Sequence, residues 1–196
     1  MLGPALCELR GLRQLRVGSV AQSLLRALCG QLILASQAHA IERAVVRAVT
    51  PRVGDLWAPP TSAQLAALAP ARLRALGLHA RRGATPVRMC GTLELERLHA
   101  HDTATVAARL ERERGLGLWL VGVVCLEGLG RSERGLVGDL GFFVLLGELL
   151  GRRVEGHETT LLLDRYGEWT GLASVYLLAG ARRGRVPTGT GLPAAA

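Results

Sequence analysis

The stretch Ala108-Arg109-Leu110-Glu111-Arg112-Glu113-Arg114-Gly115-Leu116-Gly117-Leu118-Trp119 decides the fold. Upstream of it, Asp102 stands where an N-cap belongs, and the spacing predicts a helix over 103–114. Downstream, the apolar run 118–128 reads as the next helix. Only the Gly-x-Gly of residues 115–117 separates the two. A corner this tight leaves the amides of the turn and of the new helix start without intrahelical acceptors, so they point outward and favour an anion such as a phosphate. The glycines let that anion approach without a Cβ in the way. An ordinary helical hairpin uses the same turn, so the stretch alone names no partner.

Working outward, nearly every other segment also reads as helix. Apolar residues recur at helical spacing from Val20 to Val49 and stop before Pro51. Residues 57–60 are a loop, 61–68 and 70–76 short helices, and 81–98 one longer helix with its start near Pro86. Further on, Gly138-Asp139-Leu140-Gly141 opens a helix to Leu150, with Asp139 at its start, and 157–166 and 172–181 are the last two helices. No period-two pattern predicts a strand, so the expected class is all-α. Asp139 lies 20 residues past Trp119. A helix cap explains it on its own, but a cap also fixes the direction of a carboxylate, and at a cleft mouth that carboxylate faces whatever enters.

The 196 residues carry a net charge of +8, which points to a polyanionic partner. All 24 basic residues are arginine, so no lysine amine is present to form a Schiff base with a sugar aldehyde. Cys7, Cys29, Cys90 and Cys125 are too scattered for a zinc site or an iron–sulfur cluster, and they read as buried thiols of a reduced intracellular protein. No signal peptide is evident. The longest strongly apolar stretch, 115–126, falls short of the ~20 residues a membrane span requires, so a soluble chain is expected.

A helix–Gly-Leu-Gly–helix hairpin ending in Trp119, followed by Gly138-Asp139-Leu140-Gly141, resembles the helix-hairpin-helix (HhH-GPD) DNA glycosylase superfamily, in particular its 3-methyladenine DNA glycosylase II branch. Four further stretches are similar to that branch: Arg26-Ala27-Leu28-Cys29-Gly30-Gln31-Leu32-Ile33, Leu76-Gly77-Leu78 with Arg81 and Arg82, Gly130-Arg131, and Tyr166-Gly167-Glu168-Trp169-Thr170-Gly171-Leu172-Ala173. The resemblance covers roughly residues 24–183. The resemblance implies a two-lobed helical fold with the active-site cleft between the lobes. One lobe would comprise 1–23 with 139–184, and the other 24–138 with the hairpin at about 103–128; 185–196 would be a disordered tail.

The resemblance further implies a monofunctional glycosylase of base excision repair that flips an alkylated, cationic base out of double-stranded DNA and hydrolyses its N-glycosidic bond. Asp139 would stabilise the oxocarbenium-like sugar. Gly115, Gly117 and Trp119 would hold a DNA phosphate through their amides, Leu32 would enter the minor groove with Gln31 as a further DNA contact, and Trp119, Tyr166 and Trp169 would wall the base pocket. On periodicity alone Leu32 and the aromatics equally suit a core. Lyase-type relatives have lysine where this chain has Trp119, which is why the implied chemistry uses water. No cofactor is implied beyond a monovalent cation at the hairpin carbonyls, and the expected protein is a cytoplasmic, nucleoid-associated bacterial monomer with no membrane contact. The chain departs from the pattern at Glu113-Arg114, where Leu-Pro is usual, at Leu118 and Leu120 beside Trp119, and at Thr170. Glu113 stands close to the phosphate site, with Arg114 as the expected offset. A non-catalytic or degenerate helix-hairpin-helix DNA-binding protein is the alternative reading.

Overall fold

The computed structural model describes residues 3–31 and 33–186. Eleven α-helices account for most of them. Helix α1 (Gly3–Glu8) leads through an extended segment to α2 (Val20–Gly30), which Ser19 caps by accepting from the Gln22 amide at 3.0 Å. Helix α3 (Ala35–Val49) follows. The apolar pattern of 20–49 is therefore two helices rather than one. Gly30 ends α2 and Gln31 turns extended, as expected where a residue without a Cβ lowers helix propensity.

A two-residue-per-strand hairpin, β1 (Arg52–Val53) and β2 (Leu56–Trp57), forms although no strand was expected. Its strands are too short to show any alternation, and the Gly54-Asp55 turn was the one signal available. Helices α4 (Ser62–Ala66) and α5 (Pro70–Ala75) lie close to their expected positions. The expected 81–98 helix divides into α6 (Ala80–Thr92), with Pro86 inside it, and a 3-10 turn over Leu95–Ala100.

Asp102 caps α7 (Thr103–Glu111), accepting from the Thr105 amide at 2.8 Å. Beyond the Gly-x-Gly turn comes α8 (Leu118–Val123), which relaxes without a break into a π turn over Val124–Leu129. The loop 130–138 then delivers the chain to α9 (Leu140–Leu150), followed by α10 (Gly156–Asp164), a 3-10 turn over Gly167–Trp169, and α11 (Thr170–Arg182).

Apolar side chains gather into two main clusters. The larger is drawn from residues 20–129, with Leu24, Leu25, Leu28, Leu65, Leu73, Met89, Leu110 and Leu120 almost wholly buried. The smaller joins α9, α10 and α11 through Phe142, Leu145, Leu163 and Leu177, and Val186 is buried within it, so the ordered chain runs past the expected tail boundary at 185. The rest of that tail, 187–196, lies outside the described residues. Helix α1 adds to the second body, with Leu9 against Tyr176 of α11 and the Tyr176 hydroxyl donating to the Leu12 carbonyl at 3.2 Å. Among the described residues no helix is long and apolar enough to cross a membrane.

Candidate functional site

Asp139 stands where the two clusters meet. It is the N-cap of α9, and its Oδ1 accepts from the Gly141 amide at 2.8 Å. Its second oxygen, Oδ2, accepts from the indole Nε1–H of Trp119 at 2.8 Å. The carboxylate is therefore gripped at both oxygens, by the helix it opens and by the helix that leaves the hairpin. Both glycines beside it are required by geometry. Gly138 has φ +80, a conformation L side chains rarely adopt, and its amide donates to Thr159 Oγ1 at 2.9 Å. A Cβ at Gly141 would lie 2.6 Å from a Leu178 methyl of α11.

Trp119 joins three parts of the molecule. Its ring packs against the larger cluster, and a Cβ at Gly30 would lie 3.1 Å from Trp119 Cη2, so the glycine ending α2 leaves room for the indole. The ring thus packs, as its periodicity suggested, while the N–H reaches the carboxylate, a contact the sequence did not suggest. Gln31, next to Gly30, is the half-buried C-cap of α2. Leu32, expected beside it as a groove-entering residue, lies outside the described residues.

The hairpin corner is open on its outer side. Gly115 takes φ +95, the left-handed turn that the Gly-x-Gly pattern required, and a Cβ at Gly117 would meet nothing within 4 Å. The first amide to enter the helix ladder is that of Val121, bonded to Gly117 O at 3.1 Å, while among the described residues the amides of Gly115, Gly117 and Trp119 donate to no carbonyl. Leu118, the first residue of α8, is half exposed.

The offset to Glu113 comes from α6 rather than from the Arg114 guanidinium. Arg88 of α6 pairs through Nη1 with the Glu113 carboxylate, and its Nη2 donates to the Arg114 carbonyl at 2.8 Å. Arg114, the expected offset, contributes its carbonyl to this contact. The Thr85 hydroxyl, also on α6, sits 3.3 Å from where a Gly115 Cβ would stand. No local pattern links position 88 to 113, so this brace was not visible in the sequence.

The remaining expected residues lie to one side. Tyr166 packs against the smaller cluster, and burial raises its hydroxyl above the usual phenol range, with Arg165 pulling weakly the other way. Trp169, on the 3-10 turn before α11, is 57% exposed. Among the described contacts neither ring joins the Trp119–Asp139 pair. Two apolar residues that sequence reading passed over do flank the carboxylate's helix: Leu140 and Val144, one turn apart on α9, are both more than half exposed. Arg26, in the stretch that resembles the family, has a structural task, bridging Glu42 of α3 at 2.9 Å and Glu127 of the π turn at 3.2 Å.

A carboxylate with both oxygens oriented, at the junction of two packed bodies and one helix away from a corner of free amides, can stabilise positive charge on a group held by a phosphate. Solved structures share this fold. The chain is similar to a 3-methyladenine DNA glycosylase from Archaeoglobus fulgidus (TM-score 0.78, 20% identity, covering 93% of this chain and 66% of that one). It is also similar to a Clostridium acetobutylicum 8-oxoguanine glycosylase/lyase in complex with double-stranded DNA (TM-score 0.80, 15% identity, 94% and 67%). A third likeness is to a Schizosaccharomyces pombe 3-methyladenine DNA glycosylase in complex with abasic DNA (TM-score 0.74, 17% identity, 92% and 89%). The chain spans about two thirds of the length of the first two. No protein-family model matches it, and no curated protein matches it. At these identities the likeness establishes the fold, which is the all-α helix-hairpin-helix glycosylase fold.

Proposed function

We propose that this chain is a monofunctional DNA glycosylase of base excision repair, acting on alkylated, cationic bases in double-stranded DNA. One observation carries the reading: Asp139 is held at both oxygens, by the Gly141 amide and the Trp119 indole, beside a hairpin with outward amides. A residue needed only as a helix cap gains nothing from the second grip.

In this reading the free amides of Gly115, Gly117 and Trp119 take a backbone phosphate, Gln31 and Leu32 fill the space the extruded base leaves, and the cleft between the two lobes receives it. The C1′–N bond then breaks with its electron pair passing to the base. A cationic alkylated base departs neutral, and positive charge develops on the sugar opposite the Asp139 carboxylate. Water adds to C1′ and gives up a proton, leaving an abasic site. With no lysine in these 196 residues, no side-chain amine competes with that water. Trp119, Tyr166 and Trp169 are the electron-rich rings proposed to face a cationic base.

No cofactor is proposed beyond a monovalent cation at the hairpin carbonyls, of which that of Arg114 already accepts from the Arg88 guanidinium of α6. The protein is proposed to act as a monomer near the nucleoid.

The test is release of methylated bases from duplex DNA by the intact protein and by Asp139→Asn, with duplex affinity measured for both. Release by the intact protein alone, at equal affinity, supports the assignment. Equal binding with no release by either sinks the catalytic reading and leaves a non-catalytic helix-hairpin-helix DNA-binding protein.

A further inference from the structure

We propose that the outer face of α3, closed at one end by Trp57 of the hairpin, is a second nucleic-acid site that takes a single strand. A groove of about 350 Å³ lies there, away from Asp139 and the hairpin corner. His39, Arg43 and Arg47 line it at intervals of four residues, which sets one cationic or hydrogen-bonding side chain per turn, about 6 Å apart, along a single line of the helix. Among the described residues neither Arg43 nor Arg47 pairs with a carboxylate. The small residues Ala40, Ala44 and Ala48 run alongside and leave the helix surface low.

The floor of the groove is fixed by one guanidinium held between two carboxylates. Glu42 is buried and accepts from Arg26 Nε at 2.9 Å, from Arg26 Nη2 at 3.1 Å and from Gln22 at 3.1 Å. Arg26 also reaches Glu127, whose carboxyl burial pushes above the usual range. Glu42 is thus occupied, and the unpaired charge on the rim is positive. At the far end Trp57 is 39% exposed. It pairs across the hairpin with Arg52, so the two side chains share one face of the ribbon, and the Arg52 guanidinium is held by the Gly54 carbonyl at 2.9 Å and by Asp55.

A line of cations tracking a backbone, with a flat aromatic beside it, is the device by which proteins hold an unpaired strand: phosphates lie on the arginines and a base stacks on the ring. Duplex DNA offers no open base face to Trp57. An acidic protein segment would satisfy the arginines but gives no reason for guanidinium groups at regular intervals ending on an indole. Helix α3 begins at Ala35, four residues beyond Gln31, so a strand leaving the proposed duplex contact could follow it. The inference does not require base excision, only a strand to bind.

The experiment titrates labelled oligothymidylate of about ten nucleotides, within the usual span of one single-strand site, against the intact protein, R43A/R47A and W57A. Thermal melts of all three are run alongside, with base release from methylated duplex measured in parallel. The intact protein should bind, and W57A should lose roughly tenfold in affinity, as expected for one lost stacked base. R43A/R47A should weaken binding and make the salt dependence shallower by about 1.4 in log–log slope, two phosphates' worth on a single strand. Base release from duplex should be unchanged in both variants. Absence of oligothymidylate binding by the intact protein overturns the proposal, as does unchanged affinity and slope in both variants. Trp57-dependent binding of polyglutamate in place of oligothymidylate overturns it in favour of an acidic protein partner. Absence of base release by the intact protein, with oligothymidylate still bound, would tell against the glycosylase reading and leave this one standing.

Discussion

Two residues past the second hairpin glycine, an indole N–H donates at 2.8 Å to Asp139 Oδ2. Trp119→Phe removes that donor and keeps most of the ring that packs beside Gly30. A hydrogen bond to a charged group contributes about 1.5–3 kcal/mol, so base release should fall roughly ten- to hundredfold if the full value is lost in the transition state. Duplex affinity should stay within about threefold, because the hairpin amides are untouched. Single-turnover release and anisotropy, measured on one preparation, separate the two. Unchanged release would confine Trp119 to packing. The sequence made Asp139 and Trp119 legible through the glycines around them, of which Gly115 and Gly138 take positive φ and Gly141 makes room for Leu178. It did not make their hydrogen bond legible, because no local rule fixes how two helices 20 residues apart face each other.

The hairpin depends on α6 as much as on its own turn. Arg88→Ala leaves Glu113 uncompensated beside the proposed phosphate site and frees the Arg114 carbonyl. The pair is partly exposed, and such pairs contribute only about 0–1 kcal/mol to stability. Melting should therefore drop by no more than about 2–4 °C in a chain of this length. Duplex affinity should drop more clearly, by roughly fivefold at low salt, since a repulsive carboxylate now faces the DNA backbone. R88A/E113A should recover most of that loss, and a double-mutant cycle on affinity measures the coupling. No recovery in the double variant would assign Arg88 its own contact with DNA. The capping residue Asp102 placed its helix start well, because an N-cap acts through its own next turn. The break at Gly30–Gln31 and the two-residue strands were hidden, since apolar periodicity continues through the first and cannot register in the second.

Across the whole molecule the four thiols report how tightly the larger body is packed. Cys29, Cys90 and Cys125 are buried in it, while Cys7 on α1 is exposed. Burial pushes the Cys90 thiol up to about 12, and it pushes that of Cys125 to about 11 against the pull of Arg134 and Arg131. Thiolate is the reactive form, so alkylation by iodoacetamide at pH 8 should label Cys7 alone until the protein unfolds, when all four should react. Mass spectrometry of the native and denatured samples counts them. Rapid native labelling of a second site would show that the larger body opens far more readily than its packing implies. The all-α class followed from pattern alone. The meeting of the two bodies at Asp139 did not, because contacts between distant segments leave no periodic trace.

The π turn over Val124–Leu129 lies between Trp119 and Asp139. A π turn takes up more chain than an α turn for a similar advance, so this segment is over-long relative to a regular helix joining the same two points. Any ruler laid along the chain from hairpin to carboxylate inherits that surplus. A relative with an unbroken α-helix there would carry its carboxylate at a shorter count, and a gapless alignment of the two would fall out of step within the π turn. Matching positions beyond Leu129 must therefore be found by overlaying backbones in space rather than by counting letters.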